Sequence, residues 1–221
     1  MTLMEAMEAR HSVRAYKDIP IEQEIRDQLD ACVDECNRES GLNIVIRYDD
    51  PAGFDTRLAH YGLFTGISNY IVLKGVKSAD FDFLCGYYGE KIVLKAQQLG
   101  LNTCWTAMTF NKKMVKKLVP EGETLCMAIA LGYGETQGTP HKGKDLYDVI
   151  DVRGGMPEWF VAGVKAALLA PTAVNQQKFV FSLEGDEASV RVKGLGSYTK
   201  VDLGIVAYHF DAATGKRVKR K

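Results

Sequence analysis

The 221-residue sequence predicts an α+β fold with an internal duplication. Apolar residues recur at helical spacing in several segments, and short apolar runs bounded by turn residues read as strands between them. The third observation is that two helix-strand units follow one another in matching order. IEQEIRDQLDACVDECNRESGLNIVIRY corresponds in pattern to WFVAGVKAALLAPTAVNQQKFVFSL, and GEKIVLKAQQLG to GIVAYHFDAATG, with glycine at both ends of the second pair. The expected organisation is a first half over residues 1–145 and a truncated second half over 146–221, packed as one compact unit.

Thr2 followed by Glu5 has the form of a capping box, and Leu3, Met4 and Met7 are placed to bury one side of a short helix ending near Arg10. Pro20 is placed to open a second helix whose apolar positions are Ile25, Leu29, Val33 and Cys36. NIVIRY, residues 43 to 48, and YIVLKG, residues 70 to 75, read as strands. Ser78 is placed to cap a long helix with Leu84, Tyr88, Ile92, Ala96 and Leu99 along one face, and Gly100 to end it. TCWTAM follows directly. Asn111 starts the short helix NKKMVKKL, with Met114, Val115 and Leu118 inward. TLCMAIALGYG, residues 124 to 134, is the most apolar stretch and reads as a central strand. MPEWFVAGVKAALLA is helical, with Phe160, Val164 and Leu168 on one face. KFVFSLEGDEASVRVK has the pattern of a hairpin turning at Glu184, Gly185 and Asp186, and VDLGIVAYHFDAATG closes as a helix. The basic tail GKRVKRK reads as a solvated, frayed terminus.

Equal numbers of basic and acidic residues, 28 each, give no net field that would draw the chain to nucleic acid or a membrane surface. MTLMEAMEAR has no apolar stretch of signal-peptide length, and no run reaches the roughly 18 apolar residues of a membrane span. The expectation is a cytoplasmic protein without nucleic-acid or membrane partners. Five cysteines, odd in number and without CxxC spacing, indicate neither a disulfide framework nor a zinc site. Cys32 and Cys36 read as small core residues. His60, His141 and His209 show no metal spacing and are expected at surface or capped positions.

Three polar segments interrupt the apolar pattern. RHSVR places Arg10, Ser12 and Arg14 at alternate positions, so an extended backbone aims two guanidinium groups and a hydroxyl toward one side. That set suits a phosphate, and equally a solvated turn after a helix. HKGKDL carries Lys142 and Lys144 after the central strand. LAPTAVNQQKF is an unusually polar joint between an apolar helix and an apolar strand. Trp105 is read either as a ligand contact or as core, and Trp159 as structural.

The combination resembles the FMN-dependent nitroreductase family, in its subgroup built as a pseudo-dimer in one polypeptide. That resemblance implies a nitroreductase-like fold, with a mixed, mainly antiparallel sheet flanked by helices. It implies a flavin phosphate bound by Arg10, His11, Ser12 and Arg14, and completed by Lys142 and Lys144. The matching of AQQLGLNTCWTAM implies that Thr103, Cys104, Trp105 and Thr106 run beside the flavin ring. The family's APSxxNxQPW segment is matched from Ala170 to Phe179, which implies contacts from Pro171, Thr172, Ala173, Asn175 and Gln176. The implied chemistry passes hydride from NADH or NADPH through the flavin to a small electron acceptor, such as a nitroaromatic or a quinone.

The order of motifs departs from the family's. The place shortly after the phosphate motif, where APSxxN usually stands, is held by ECNRESGL, and the motif returns only in the second half. In the family's homodimers that segment comes from the partner subunit. Here the chain would supply both parts in cis and act as a monomer. The second half has only a lone Arg153 in place of the phosphate motif, so one FMN per chain is expected. Two alternatives stay open: a flavin- or nucleotide-binding module without turnover, and a packed α+β protein without cofactor.

Overall fold

The computed structural model of the chain describes residues 1–56, 64–152 and 154–221; His60 and Arg153 lie outside them. Helix α1 (Leu3–Ala9) forms with both arms of the expected capping box in place and Arg10 as its C-cap. Helix α2 (Gln23–Ser40) leads to β1 (Val45–Arg47) and β2 (Asn69–Val76). Helix α3 (Phe81–Gln98) then delivers β3 (Asn102–Thr106), the short α4 (Lys112–Lys116) and β4 (Glu123–Gly132). The second half holds α5 (Glu158–Leu168), β5 (Phe179–Glu184), β6 (Glu187–Val192), α6 (Thr199–Thr214) and β7 (Lys219–Arg220).

The strands form two sheets rather than the single mixed sheet expected. The first, in order β1-β2-β4-β3, is antiparallel throughout, and the apolar β4 sits at its centre as the pattern predicts. The second, β5-β6-β7, joins an antiparallel hairpin to a parallel β7. Its inner face carries Phe179 and Phe181, which pack with Phe160 of α5 and Phe210 of α6. Trp159 joins this aromatic group edge-on, in the structural role expected of it.

Several local expectations yield to tertiary structure. Helix α2 begins at Gln23, not Pro20, because Ile21 is drawn extended into the core and its carbonyl accepts from Arg26 Nε at 2.7 Å. Ser78 does not cap α3; Asp80 holds the N-cap position without a side-chain bond. Met4 is exposed, and Ala6 fills the inward position beside Met7. The basic tail is not frayed. Its backbone adds a strand to β6, whose edge would otherwise be open, and its charges pair with Asp80, Glu184, Asp186 and Glu187.

Helices α3 and α6 cross at closest approach through two glycines. A Cβ on Gly86 would stand 2.0 Å from the Val201 carbonyl oxygen, and one on Gly204 2.1 Å from that of Phe83. The contacts reciprocate: Gly86 meets Val201 and Ile205, while Gly204 meets Phe83 and Tyr87. The second set repeats the first with the helices exchanged. This pairs Gly86 with Gly204, about one turn away from the Gly89–Gly204 pairing suggested by sequence pattern. Either glycine replaced by alanine would force backbone apart in a packed interior, a class of change costing about 1–3 kcal/mol.

Candidate functional site

Arg10 leaves α1 in extended conformation, and the chain then runs along the outer edge of β3. Ser12 bridges Thr103 in parallel, with Val13 N–H donating to the Thr103 carbonyl at 3.1 Å. Further along, Lys17 N–H donates to the Tyr133 carbonyl and Glu135 N–H to that of Ala15. Val13 and Tyr16 turn into the core while Arg14 faces solvent.

Arg10, Ser12 and Arg14 each act on the buried Cys104. Burial pushes this thiol's pKa up, opposed by the Arg14 guanidinium, the Ser12 hydroxyl and Arg10. His11 stands beside the same charges. Its pKa is lowered, first by burial and then by Arg10, as is that of His141. Arg10 is 3% exposed, and its Nε has no hydrogen-bond partner; nor does the buried Thr103 Oγ1. Among the described residues Arg14 and Lys142 have no acidic partner within 4 Å, and for Arg10 that distance is met only by Glu90, at 3.8 Å. A buried polar group left unpaired costs about 1–3 kcal/mol. This donor set, cationic and short of protein acceptors, fits a phosphate.

Residues 134–144 link this edge to the second half. Gly134 N–H donates to Asn102 Oδ1 at 2.9 Å, and Gly138 packs so closely that a Cβ would lie 2.8 Å from His11 Cβ. His141 Nε2 lies 3.1 Å from the Leu168 carbonyl at the end of α5, a half-buried capping position as expected. Lys142 offers its carbonyl to Asn175 Nδ2 and Gln177 Nε2, at 2.9 and 2.8 Å. Lys144 donates its amide to Gln177 Oε1 at 2.9 Å and its ammonium to the Gln177 carbonyl at 2.8 Å.

The 170–177 segment is held almost entirely by such bonds. Gln177 is buried, donates also to Asn175 Oδ1 at 2.8 Å, and takes Thr172 Oγ1 as acceptor for its own amide. Asp202, in the first turn of α6, accepts from Ala173 N–H at 2.9 Å and Gln176 Nε2 at 2.7 Å. Burial raises the Asp202 pKa to about 6 against those two bonds. Ala170 is buried, and Pro171, Thr172 and Ala173 are half-buried. Val174, Asn175 and Gln177 all take left-handed backbone, with φ of 47°, 54° and 44°. For a β-branched valine, 97% exposed, that is strain without compensation from its own side chain.

Several of the expected site residues also have partners within the protein. Trp105 Nε1 donates to Glu90 at 2.9 Å, and its ring packs on α3 where a Cβ on Gly89 would lie 2.6 Å away. Thr106 Oγ1 donates to the Ala128 carbonyl. Asn175 has both ends of its amide engaged by Lys142 and Gln177. Among the described residues no hydrogen bond runs directly from 10–14 to 170–177; loop 134–144 mediates. Glu90, Asp202 and His209 were not signalled by any motif, and Gln177 falls within the APSxxNxQPW match without being singled out as a contact. His209, expected at a surface or capped position, is instead fully buried, with Nε2 3.0 Å from Glu90 Oε1 and Nδ1 3.0 Å from the Ala166 carbonyl.

A family model described as "Putative TM nitroreductase" matches residues 2–214. The chain belongs to this nitroreductase family. A "putative nitroreductase" from Thermotoga maritima shares the fold of this nitroreductase-family chain, with a TM-score of 0.69 at 23% identity over 96% of this chain and 83% of that one. A "Putative NADH dehydrogenase/NAD(P)H nitroreductase" from Parabacteroides distasonis aligns with a TM-score of 0.54 at 24% identity, over 66% of this chain and 95% of its own. A nitroreductase structure from Desulfovibrio desulfuricans, described as a complex with FMN, gives 0.54 at 18%, over 67% and 94%. No curated protein matches. Among the described residues no helix is long and apolar enough to cross a membrane, and no side-chain group could hold a metal ion.

Proposed function

We propose that this nitroreductase-family chain is an FMN-dependent oxidoreductase that takes hydride from NADH or NADPH and delivers it to a small acceptor, such as a nitroaromatic or a quinone. The observation that carries this reading is the set of Arg10, Ser12 and Arg14 in the segment that lines the outer edge of β3, short of acidic partners. Bound FMN supplies the hydride relay. The chain's own residues bind and orient. Arg10, Ser12, Arg14 and Lys142 would hold the phosphate, with His11 alongside. The β3 backbone from Thr103 to Thr106 would border the ring, and the prebuilt 170–177 segment would close the other side.

The site is read as a cis assembly, with residues 1–145 and 146–221 in the roles of two subunits of a pseudo-dimer. The reciprocal Gly86–Gly204 contact supports this, because residue i meeting j while j meets i is the mark of a two-fold interface. So does the length of the two shorter relatives, which match almost in full yet cover two thirds of this chain. The chain would then act as a monomer in the cytoplasm, with a small-molecule acceptor as its partner.

The absorbance spectrum of the purified protein tests the first step. Flavin bands are expected, and they should bleach on mixing with NADH or NADPH in a stopped-flow cell. A colourless protein that takes up no added FMN would refute the flavin reading. A bound flavin that stays oxidised under excess of both nicotinamides would refute the oxidoreductase and leave a binding module.

A further inference from the structure

Behind the proposed phosphate site lies a buried charged group that the flavin chemistry does not use. Glu90 and His209 are both fully buried, on α3 and α6, and Arg10 is nearly so. The Ala166 carbonyl can only accept, so the His209 Nδ1 that faces it carries a hydrogen. The bond between Nε2 and Glu90 Oε1 then holds one further proton. Whether that proton sits on the imidazole or on the carboxyl, His209 and Glu90 together carry no net charge. The second oxygen of Glu90 is occupied by the Trp105 indole N–H. Arg10 Nε stands 3.8 Å from Glu90 Oε1, too far for a hydrogen bond.

We infer that His209 is a positioning residue: it neutralises Glu90, so that Arg10 keeps an uncompensated positive charge for the phosphate of the ligand. Without His209, Glu90 would become the counter-ion of Arg10, and the site would lose part of its attraction for an anion. Glu90 remains in place because it anchors Trp105 and joins α3 to α6. The second half thus contributes to phosphate binding through a residue that never meets the ligand. This rests on the flavin reading for the identity of the anion, but not for the charge balance itself.

The test compares FMN with riboflavin, which lacks the phosphate. For His209→Gln, FMN binding is expected to weaken about tenfold or more while riboflavin binding holds within about twofold, the loss of one charge-assisted contact. In the double variant Glu90→Gln/His209→Gln the counter-charge is gone, and the preference for FMN over riboflavin should return. Additive losses, or an unchanged preference in His209→Gln, would overturn the inference. Should His209→Gln fail to fold while the double variant folds, the inference fails as well.

A measurement without flavin separates this from the proposed function. In urea unfolding of the cofactor-free protein, the double variant should be less stable than His209→Gln, because in the single variant Glu90 serves as counter-ion to the buried Arg10 and the second substitution leaves that guanidinium unpaired. If the parent chain binds no flavin, the oxidoreductase reading fails and this ordering still decides the charge balance. The reverse ordering would sink it.

Discussion

The two polar segments of the candidate site differ in what holds them. Residues 10–14 leave the buried Arg10 Nε unpaired and cationic groups short of acceptors, whereas the amides of 170–177 find partners within the protein and the segment carries backbone strain. The first looks outward for its partner. The second is finished before any ligand arrives, with Gln177 at its centre, Asp202 fastening one end and Lys144 the other. Binding energy should therefore come from the first segment, and shape from the second.

The sharpest way to break this contrast is Arg10→Ala. FMN binding should weaken by about 1.5–3 kcal/mol, the worth of a charge-assisted contact, with riboflavin little changed. Fluorescence titration with both ligands reads this out, and equal weakening would place Arg10 elsewhere. Gln177→Leu probes the other segment. It strips partners from Lys144 N–H, the Lys142 carbonyl and Asn175, so urea unfolding should show a loss of about 1–3 kcal/mol.

Asp202→Asn should act on the pH profile. The folded pKa of about 6 lies above the unfolded value of roughly 3.9, so the folded chain holds the proton more tightly. Stability present below the unfolded value is therefore lost as pH rises through about 6. The substitution removes that loss, and unfolding midpoints of variant and parent should diverge in the variant's favour between about pH 4 and 7. Parallel profiles would mean that Asp202 does not titrate there. The smallest effect is expected for Val174→Gly. Relief of left-handed strain, about 1–2 kcal/mol, is partly offset by the entropy of glycine, leaving a net gain below about 1 kcal/mol in thermal unfolding.

What could be read from sequence was what depends on neighbours in the chain. The capping box of α1, the Asn111 cap, the hairpin at Gly185 and the central β4 all formed as their local patterns require. The extended run after α1 was legible for the same reason, and it sets Ser12 against Thr103 on the edge of β3. The rest was decided by partners distant in sequence. Ile21 was claimed by the core before Pro20 could start a helix, and β6 captured the basic tail. Trp105 donates to Glu90 on the facing helix, and Asn175 shares its amide with Gln177 and Lys142, pairings that no local pattern encodes. His209 lies 119 residues from Glu90, and no local pattern could pair them.

The central claim is that one chain assembles one flavin site from both of its halves. Titration of the cofactor-free monomer with FMN, followed by flavin fluorescence with sedimentation to fix the oligomeric state, tests it most directly. The account predicts saturation at one FMN per chain in a monomer. Saturation at two flavins per chain, or binding only in a dimer, would contradict it.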